Sequence, residues 1–204
     1  KKGIKVEAII DIREQSNTAF TKEAEDLGIK VYRSHTVVNT EGYKKINKIT
    51  IMELSRDGQS FANQEKINLD CDCLAISGGW TPAVHLFTQS GGKLKFRDED
   101  QVFIPNEYPS DQISIGSCNG DFELDDIIKN STKSLKEFLD IKETEFDSLE
   151  ISCPKDNEIR NIWLLPSNKV LGKTKPFVDY QNDATAKDIK LALREGFRSI
   201  EHVK

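Results

Sequence analysis

The residues from Asp70 to Gly92, DCDCLAISGGWTPAVHLFTQSGG, constrain the fold of this chain more than any other stretch. Within it, Asp72 to Ser77 is a short apolar run without polar alternation, which is typical of a strand buried on both faces of a parallel sheet. The run ends at Gly78-Gly79, and Ala83 to Ser90 follows as a short helical stretch. Ligands bind in open α/β sheets at the carboxyl ends of such strands. A tight turn that needs glycine for a positive φ explains the same residues without a ligand.

Composition excludes several classes of partner. Charged residues make up 31% of the 204 residues, hydrophobic residues 37%, and the formal net charge is −5. A chain of this length can form one large domain or two small ones. With a net negative charge, it has no excess of basic residues to bind the phosphates of a nucleic acid. The sequence contains no apolar run long enough to span a bilayer and no charged-then-apolar start that would predict a signal peptide. We therefore expect a cytoplasmic globular protein that binds neither nucleic acid nor membrane.

The cysteines do not form a metal-binding or disulfide framework. Cys71 and Cys73 are separated by one residue, Cys118 and Cys153 stand alone, and the sequence has no CxxC pair. The three histidines are scattered as well. Because zinc and iron–sulfur sites need clustered ligands, we expect free thiols and no metal site.

The first part of the chain is predicted to alternate strands and helices. Lys5 to Ile12 is typical of a strand, and Ser16 or Asn17 can cap a helix that runs to Leu27. Ile29 to Tyr32 is predicted as the next short strand. From Val37 to about Leu69 the apolar period changes to two, which predicts an antiparallel meander.

After the strand predicted at Asp72 to Ser77, the pattern predicts a hairpin, a second parallel strand and a long helix. The hairpin covers Lys93 to Pro105, the strand Gln112 to Ile115, and the amphipathic helix Asp121 to Asp140. A charged, proline-bearing linker follows, and a helix from Thr185 to Arg194 is capped from Asn182-Asp183. The predicted fold class is therefore α/β: a partial Rossmann-like dinucleotide-binding fold with an inserted antiparallel meander, followed by a small helical module. The predicted division is residues 1–140, a linker 141–175, and the start of the module at 176–204.

Three features have the residue types of a nucleotide site. Asp11, at the end of the first strand, suits an acid that accepts hydrogen bonds from an adenosine ribose, and Arg13 is an alternative contact for a 2′-phosphate. Gly78 and Gly79, which follow the strand predicted at Asp72 to Ser77, are the second feature. Gly116 to Gly120, at the start of a helix, is the third, and it suits a phosphate or a polarised ring oxygen. The candidate cofactor-binding residues are Asp11, Ser77, Gly78, Gly79, Trp80, Thr81, Pro82, Gly116 and Asn119.

The order of these features resembles the second half of flavoproteins that have two dinucleotide-binding domains. Two longer blocks are more specific, DCDCLAISGGWTPAVHLFTQSGGKLKF and, near the end, KPFVDYQNDATAKDIKLALREGFRSIEHVK. With them the whole chain resembles the alpha subunits of heterotetrameric sarcosine oxidases, as a fragment that covers the later part of the dinucleotide-binding region and the small helical module.

The resemblance implies a function that composition and spacing do not. Members of that family oxidatively demethylate sarcosine to glycine with FAD, FMN and tetrahydrofolate, in a complex of alpha, beta, gamma and delta subunits, and their alpha subunits bind NAD. The folate domain is expected to lie outside this chain. Where the wider superfamily has an Asp that binds a ribityl or ribose hydroxyl, this chain has Asn119 as the nearest candidate. The terminal module lacks the clustered cysteines of related iron–sulfur modules, so no cluster is expected, and Asp179 and Asp183 are interpreted as capping or interface groups.

No catalytic residue set is visible, since Ser77 has no histidine partner that the sequence indicates and His85 lies on a short helix. We therefore expect a nucleotide-binding and assembly piece of a flavoenzyme complex, with no catalytic residue of its own. The alternatives are an NAD(P)H-dependent flavin reductase, which would need a redox-active cysteine pair or a flavin loop, and a scaffold whose dinucleotide site is vestigial.

Overall fold

A computed structural model describes residues 3–16, 18–109, 111–141, 159–167, 169 and 171–199 of the chain. The described residues form two compact units. The first unit draws on Lys1–Glu14, Val31–Cys73 and Ile162–Lys204, and the second on Gln15–Lys30 and Leu74–Asn161. Each unit therefore combines segments that are distant in sequence. The predicted division at residues 140 and 175 remains a prediction, and most of its linker, residues 142–158, lies outside the described residues.

Two short strands near the start of the chain pair with each other, β1 (Ala8–Ile10) and β2 (Lys30–Tyr32). β1 is shorter than the strand predicted over Lys5 to Ile12. The pairing continues beyond β1, since the backbone N–H of Asp11 donates to the carbonyl of Tyr32 at 2.9 Å. Asp11 thus follows directly after the strand, as the sequence predicts.

An antiparallel meander forms the core of the first unit. It consists of β3 (His35–Gly42), β4 (Ile46–Glu53) and β5 (Ile67–Asp70), with β4 in the centre. Its buried apolar residues are Ile49, Ile51, Met52 and Leu54. Four consecutive residues of β4, from Ile49 to Met52, are buried, so this strand is covered on both faces. The meander predicted from the period-two pattern is confirmed.

The carboxyl-terminal part of the first unit is a small module of short elements. These are α4 (Leu171–Thr174), β8 (Phe177–Asp179), β9 (Ala184–Thr185) and α5 (Ala186–Arg194). The cap of α5 is Thr185 rather than Asn182-Asp183, because Thr185 and Asp188 form a reciprocal capping box with Thr185 N to Asp188 Oδ2 at 2.8 Å. These hydrogen bonds hold the pKa of Asp188 below its usual value. Asp179 accepts from the backbone N–H of Gln181 at 2.8 Å and so stabilises the turn after β8.

Among its described residues, the second unit has three α-helices and a hairpin. Its elements are α1 (Ala19–Asp26), α2 (His85–Gln89), β6 (Lys93–Arg97), β7 (Val102–Glu107), a 3-10 helix (Gly116–Asn119) and α3 (Leu124–Leu139). Thr18 caps α1 and accepts from the N–H of Thr21 at 3.2 Å, whereas Ser16 or Asn17 was the predicted cap. Asn17 lies outside the described residues. The predicted hairpin and the predicted long helix are both present.

Two predicted parallel strands are wrong. Residues 72–77 belong to no strand; Leu74 is half-buried and the other five are exposed. The observed strand in this part of the chain is β5, which pairs with β4 and ends at Asp70. Residues 112–115 also form no strand, and side chains hold them instead: Ser90 Oγ donates to Gln112 Oε1 at 2.6 Å, and Cys118 Sγ donates to the carbonyl of Ile115 at 2.9 Å. A doubly buried strand needs a hydrogen-bonded neighbour, and the described residues place none beside either segment.

The fold class is confirmed as mixed α/β, with an inserted antiparallel meander and a small terminal helical module. Within the described residues, no helix is both long and apolar enough to cross a bilayer.

Ile51 gives a direct test of where the core lies. Its side chain is fully buried in β4, so Ile51→Ala should lower the free energy of unfolding by about 2–5 kcal/mol through lost burial and a cavity. Ile76→Ala is the matched control, because Ile76 is 83% exposed and should change stability by less than about 0.5 kcal/mol. Urea denaturation followed by circular dichroism measures both. Equal losses in the two variants would contradict the assignment of the core to β4.

Candidate functional site

The segment from Gly116 to Gly120, here called the Gly116–Gly120 turn, connects the β6–β7 hairpin region to α3. It consists of the 3-10 helix and Gly120, which ends it in the left-handed region at φ 86°. Both terminal glycines are buried. A Cβ on Gly120 would lie 2.8 Å from Arg97 Nη2 and 2.8 Å from Ile104 Cγ2. Only glycine therefore allows the turn to pack this closely against the hairpin.

Arg97 connects the hairpin to this turn. Its Nε donates to Asp100 Oδ1 at 2.7 Å and its Nη2 donates to Asp100 Oδ2, while Nη2 also donates to the carbonyl of Gly120 at 2.8 Å. Hydrogen bonding to Arg97 holds the pKa of Asp100 below its usual value, although burial opposes the shift. The same bonding raises the pKa of Arg97. The guanidinium is thus an internal clamp whose charge is matched within the second unit.

Tyr108 fixes the side chain of Asn119, the polar residue that the sequence predicts in this turn. The Tyr108 hydroxyl donates to Asn119 Oδ1 at 3.0 Å. The Tyr108 ring meets the buried ring of Phe87 edge-on, with 5.0 Å between the centroids. Burial raises the pKa of Tyr108, and hydrogen bonding with Ser114 opposes that rise, so the phenol stays protonated at neutral pH.

The candidate cofactor-binding residues from Ser77 to Pro82 lie mostly on the surface of the second unit. Ser77, Gly78, Gly79, Trp80 and Thr81 are exposed, and Pro82 is buried. Trp80 is 81% exposed, and Gly79 has a φ of 91°. The positive φ confirms the need for glycine at one of the two positions. This segment exposes the backbone of Gly78 and Gly79 and the large aromatic side chain of Trp80.

Asp11 belongs to the first unit and is already engaged by its neighbour. Its carboxylate accepts from the backbone N–H of Arg13 at 2.9 Å, from Arg13 Nε at 3.0 Å and from Arg13 Nη2 at 2.7 Å. Arg13 therefore neutralises the acid that the sequence predicts as the ribose ligand. A ribose would have to share this carboxylate with the guanidinium.

Three residues of this region, Arg97, Phe87 and Tyr108, were not predicted from the sequence. Arg97 ends β6 and Asp100 lies in the turn three residues later, and this spacing is a usable signal for an ion pair. Nothing in the sequence pairs Tyr108 with Asn119, because eleven positions separate them and no periodic pattern links them. Among the candidate residues, the structure brings Gly116 and Asn119 together in one turn. Ser77–Pro82 is a separate segment of the same unit, and Asp11 lies in the other unit.

The cysteines of the described chain are free thiols, namely Cys71, Cys73 and Cys118. Burial and the neighbouring acids raise the pKa of Cys71, which keeps its thiol protonated. Cys153 lies outside the described residues. Across the described ranges, no group of three or more His, Cys, Asp or Glu side chains is placed to hold a metal ion.

These features define a mixed α/β protein with a glycine turn that presents a fixed amide. Comparison with known proteins is more specific. The model of a protein family described as "Sarcosine oxidase A3 domain" matches residues 173–204. Two relatives from Corynebacterium sp. strains P-1 and U-96, both named "Sarcosine oxidase subunit alpha", are 29% and 28% identical over 98% of this chain, and one of that name from Rhizobium meliloti is 28% identical over 99%. The resemblance predicted from the sequence is confirmed over nearly the whole chain, and the chain spans about a fifth of the length of these relatives.

Two solved structures are also similar in part. The structure of L-proline dehydrogenase from P. horikoshii is matched over 98% of this chain and 39% of its own, with 16% identity and a TM-score of 0.46. The structure of T. acidophilum thioredoxin reductase is matched over 65% of this chain and 44% of its own, with 16% identity and a TM-score of 0.41.

The Arg97 clamp should make stability sensitive to acid. Because the folded pKa of Asp100 is lowered, its stabilisation is present at neutral pH and is lost as the pH falls below about 4. Asp100→Asn should therefore lower stability at pH 7 by about 1 kcal/mol and flatten its decline in acid. Denaturation at several pH values measures this, with the exposed neighbour Asp98→Asn as control. An unchanged acid slope in Asp100→Asn would refute the clamp's electrostatic role.

Gly92 tests the packing beneath Tyr108. A Cβ at Gly92 would overlap the ring of Phe87, with Phe87 Cε2 at only 2.6 Å, and the ring is buried and cannot move away freely. Gly92→Ala should destabilise the protein by about 1–3 kcal/mol. Gly78→Ala is the matched control, since a Cβ there would meet no atom within 4 Å beyond its chain neighbours. Thermal unfolding of both variants gives the comparison, and a neutral Gly92→Ala would show that this packing is wrong.

Proposed function

We propose that this chain is the nucleotide-binding and assembly portion of a sarcosine oxidase alpha subunit. The observation that carries the proposal is the match to three proteins of that name over 98–99% of the chain. In this proposal the chain serves an oxidoreductase complex in the cytoplasm, with beta, gamma and delta subunits as partners. The complex demethylates sarcosine to glycine, and tetrahydrofolate accepts the carbon unit on a domain outside this chain.

The proposed nucleotide is NAD or FAD, whereas FMN belongs to the complex as a whole. Its candidate ligands in the second unit are Gly116 and Asn119 of the Gly116–Gly120 turn and the segment Ser77–Pro82. The amide of Asn119 is held by Tyr108 and keeps a hydrogen-bond donor for a nucleotide oxygen. A bound flavin would supply the redox chemistry, and the residues described here would bind and orient it. The chain itself is proposed to contribute no catalytic group.

Exposed apolar residues of the second unit support the assembly role. Ile76, Trp80 and Leu86 are each at least 80% exposed. Large apolar side chains that stay in water are typical of surfaces that a partner covers. We assign them to contacts within the complex.

The pairing of Asp11 with Arg13 favours one second candidate, a scaffold whose dinucleotide site is vestigial. The carboxylate is engaged by three groups of Arg13, which is the arrangement expected if no ribose binds there. A measurement of nucleotide binding distinguishes the scaffold from the nucleotide-binding function.

Calorimetric titration of NAD and of FAD into the natural polypeptide that contains this chain tests the proposal. We expect one of them to bind. Asp11→Ala should weaken binding by about tenfold or more, because a hydrogen bond to a charged group is lost. Asp26→Ala, which removes an exposed acid at the end of α1, is the control and should bind normally.

Two outcomes would contradict parts of this proposal. A folded protein that binds neither NAD nor FAD would refute the nucleotide function and support the scaffold. Binding that is undiminished in Asp11→Ala would remove Asp11 from the site while the nucleotide function stands.

A further inference from the structure

We propose that Asn119-Gly120 is a site of spontaneous deamidation that the folded second unit suppresses, and that Tyr108 is the residue that restrains the reacting amide. No other asparagine in the 204 residues is followed by glycine. The proposal concerns a chemical modification of the chain itself, so it holds whether or not a nucleotide binds.

The reaction needs only these two residues and water. Hydroxide removes the proton of the Gly120 backbone N–H, and the nitrogen attacks Cγ of the Asn119 side chain. The new C–N bond closes a succinimide ring, the bond from Cγ to the side-chain nitrogen breaks, and ammonia leaves with a proton taken from water. Water then opens the ring at either carbonyl, which gives aspartate or isoaspartate. Glycine favours the attack because no Cβ shields its nitrogen, and asparagine is a thermolabile residue.

The fold restrains the attacking nitrogen. Gly120 is buried, and its N–H donates to the carbonyl of Ser117 at 3.2 Å. Burial keeps hydroxide from this nitrogen, and loss of its proton would break the hydrogen bond. The residue cannot move aside freely, because it packs so closely that a Cβ there would lie 2.8 Å from Arg97 Nη2 and 2.8 Å from Ile104 Cγ2.

Tyr108 restrains the group that is attacked. Its hydroxyl donates to Asn119 Oδ1 at 3.0 Å, and its ring meets the buried ring of Phe87 edge-on. The hydrogen bond polarises the carbonyl, which by itself would assist the attack. Asn119 lies in the 3-10 helix, however, where ψ is about −20 to −30°. A succinimide ring fixes ψ far from that range, so ring closure requires the turn to open and the contact with Tyr108 to break.

Both products would be less compatible with the folded turn than the amide is. Isoaspartate directs the backbone through Cβ and lengthens it by one atom, which would displace Gly120 from Arg97, whose Nη2 donates to the Gly120 carbonyl at 2.8 Å. Aspartate keeps the backbone length but adds a negative charge shortly before Asp121 and Glu123. The packing that builds the turn therefore also favours the unmodified asparagine.

Peptide mapping by mass spectrometry tests the proposal on the natural polypeptide that contains this chain. After incubation at mildly alkaline pH, trypsin releases a peptide from Asp98 to Lys129. Its other asparagine, Asn106, is exposed and precedes Glu107, so it is an internal control. We expect Asn119 to deamidate at least about tenfold faster in urea than in the folded protein, because the hydrogen bonds of both reacting groups are lost. Equal rates would overturn suppression by the fold, and a rate at Asn106 that matches Asn119 in urea would overturn the site itself.

Tyr108→Phe isolates the restraint on the amide, since it removes the hydroxyl and keeps the ring. It should accelerate deamidation of Asn119 in the folded protein by about two- to tenfold, because one neutral hydrogen bond is lost, and should change nothing in urea. Tyr43→Phe makes the same change at a 97% exposed position and should leave the rate unchanged. Ile51→Ala destabilises the first unit and separates restraint from general unfolding. An unchanged or slower rate in Tyr108→Phe, or an equal acceleration in Ile51→Ala, would overturn the role of Tyr108.

Discussion

The interaction on which the candidate site depends is the one between Arg97, Asp100 and the carbonyl of Gly120. A guanidinium presents its donors in a fixed fork, so one side chain can hold a carboxylate and a backbone carbonyl at the same time. The guanidinium thereby connects the hairpin β6–β7 to Gly120, which lies 23 residues after Arg97. Gly120 makes the contact possible, because any Cβ there would displace the guanidinium or Ile104.

The clamp also determines the electrostatics of the turn. A free arginine beside a glycine turn would favour a phosphate, whereas Arg97 is matched by Asp100. The remaining charge of the region is acidic, and the polar group that the turn presents is a neutral amide. Arg97 therefore both holds the turn in place and has its own charge paired by Asp100.

Sequence reasoning succeeded where local pattern determines structure. The period-two stretch gave the meander with Ile51 at its centre, and the 3.6-residue pattern gave α3 nearly to its ends. It failed at residues 72–77, because an apolar run says nothing of whether a neighbouring strand is present to pair with it. Thr18 and Thr185 were missed as caps because several polar residues near each helix start were chemically equivalent candidates. Tyr108 was missed because its contact with Asn119 is tertiary.

The two predicted ligand groups differ in how prepared the structure leaves them. The acceptor oxygen of Asn119 is bound by Tyr108, whose ring meets the buried ring of Phe87, so this amide has a partner before a ligand arrives. Asp11 instead directs its carboxylate to Arg13, and a ribose hydroxyl would compete with a charge-assisted hydrogen bond. Preorganisation lowers the cost of binding at Asn119, whereas competition raises it at Asp11. Both groups remain predicted ligands, and the described contacts leave the amide of Asn119 more accessible to a ligand than the carboxylate of Asp11.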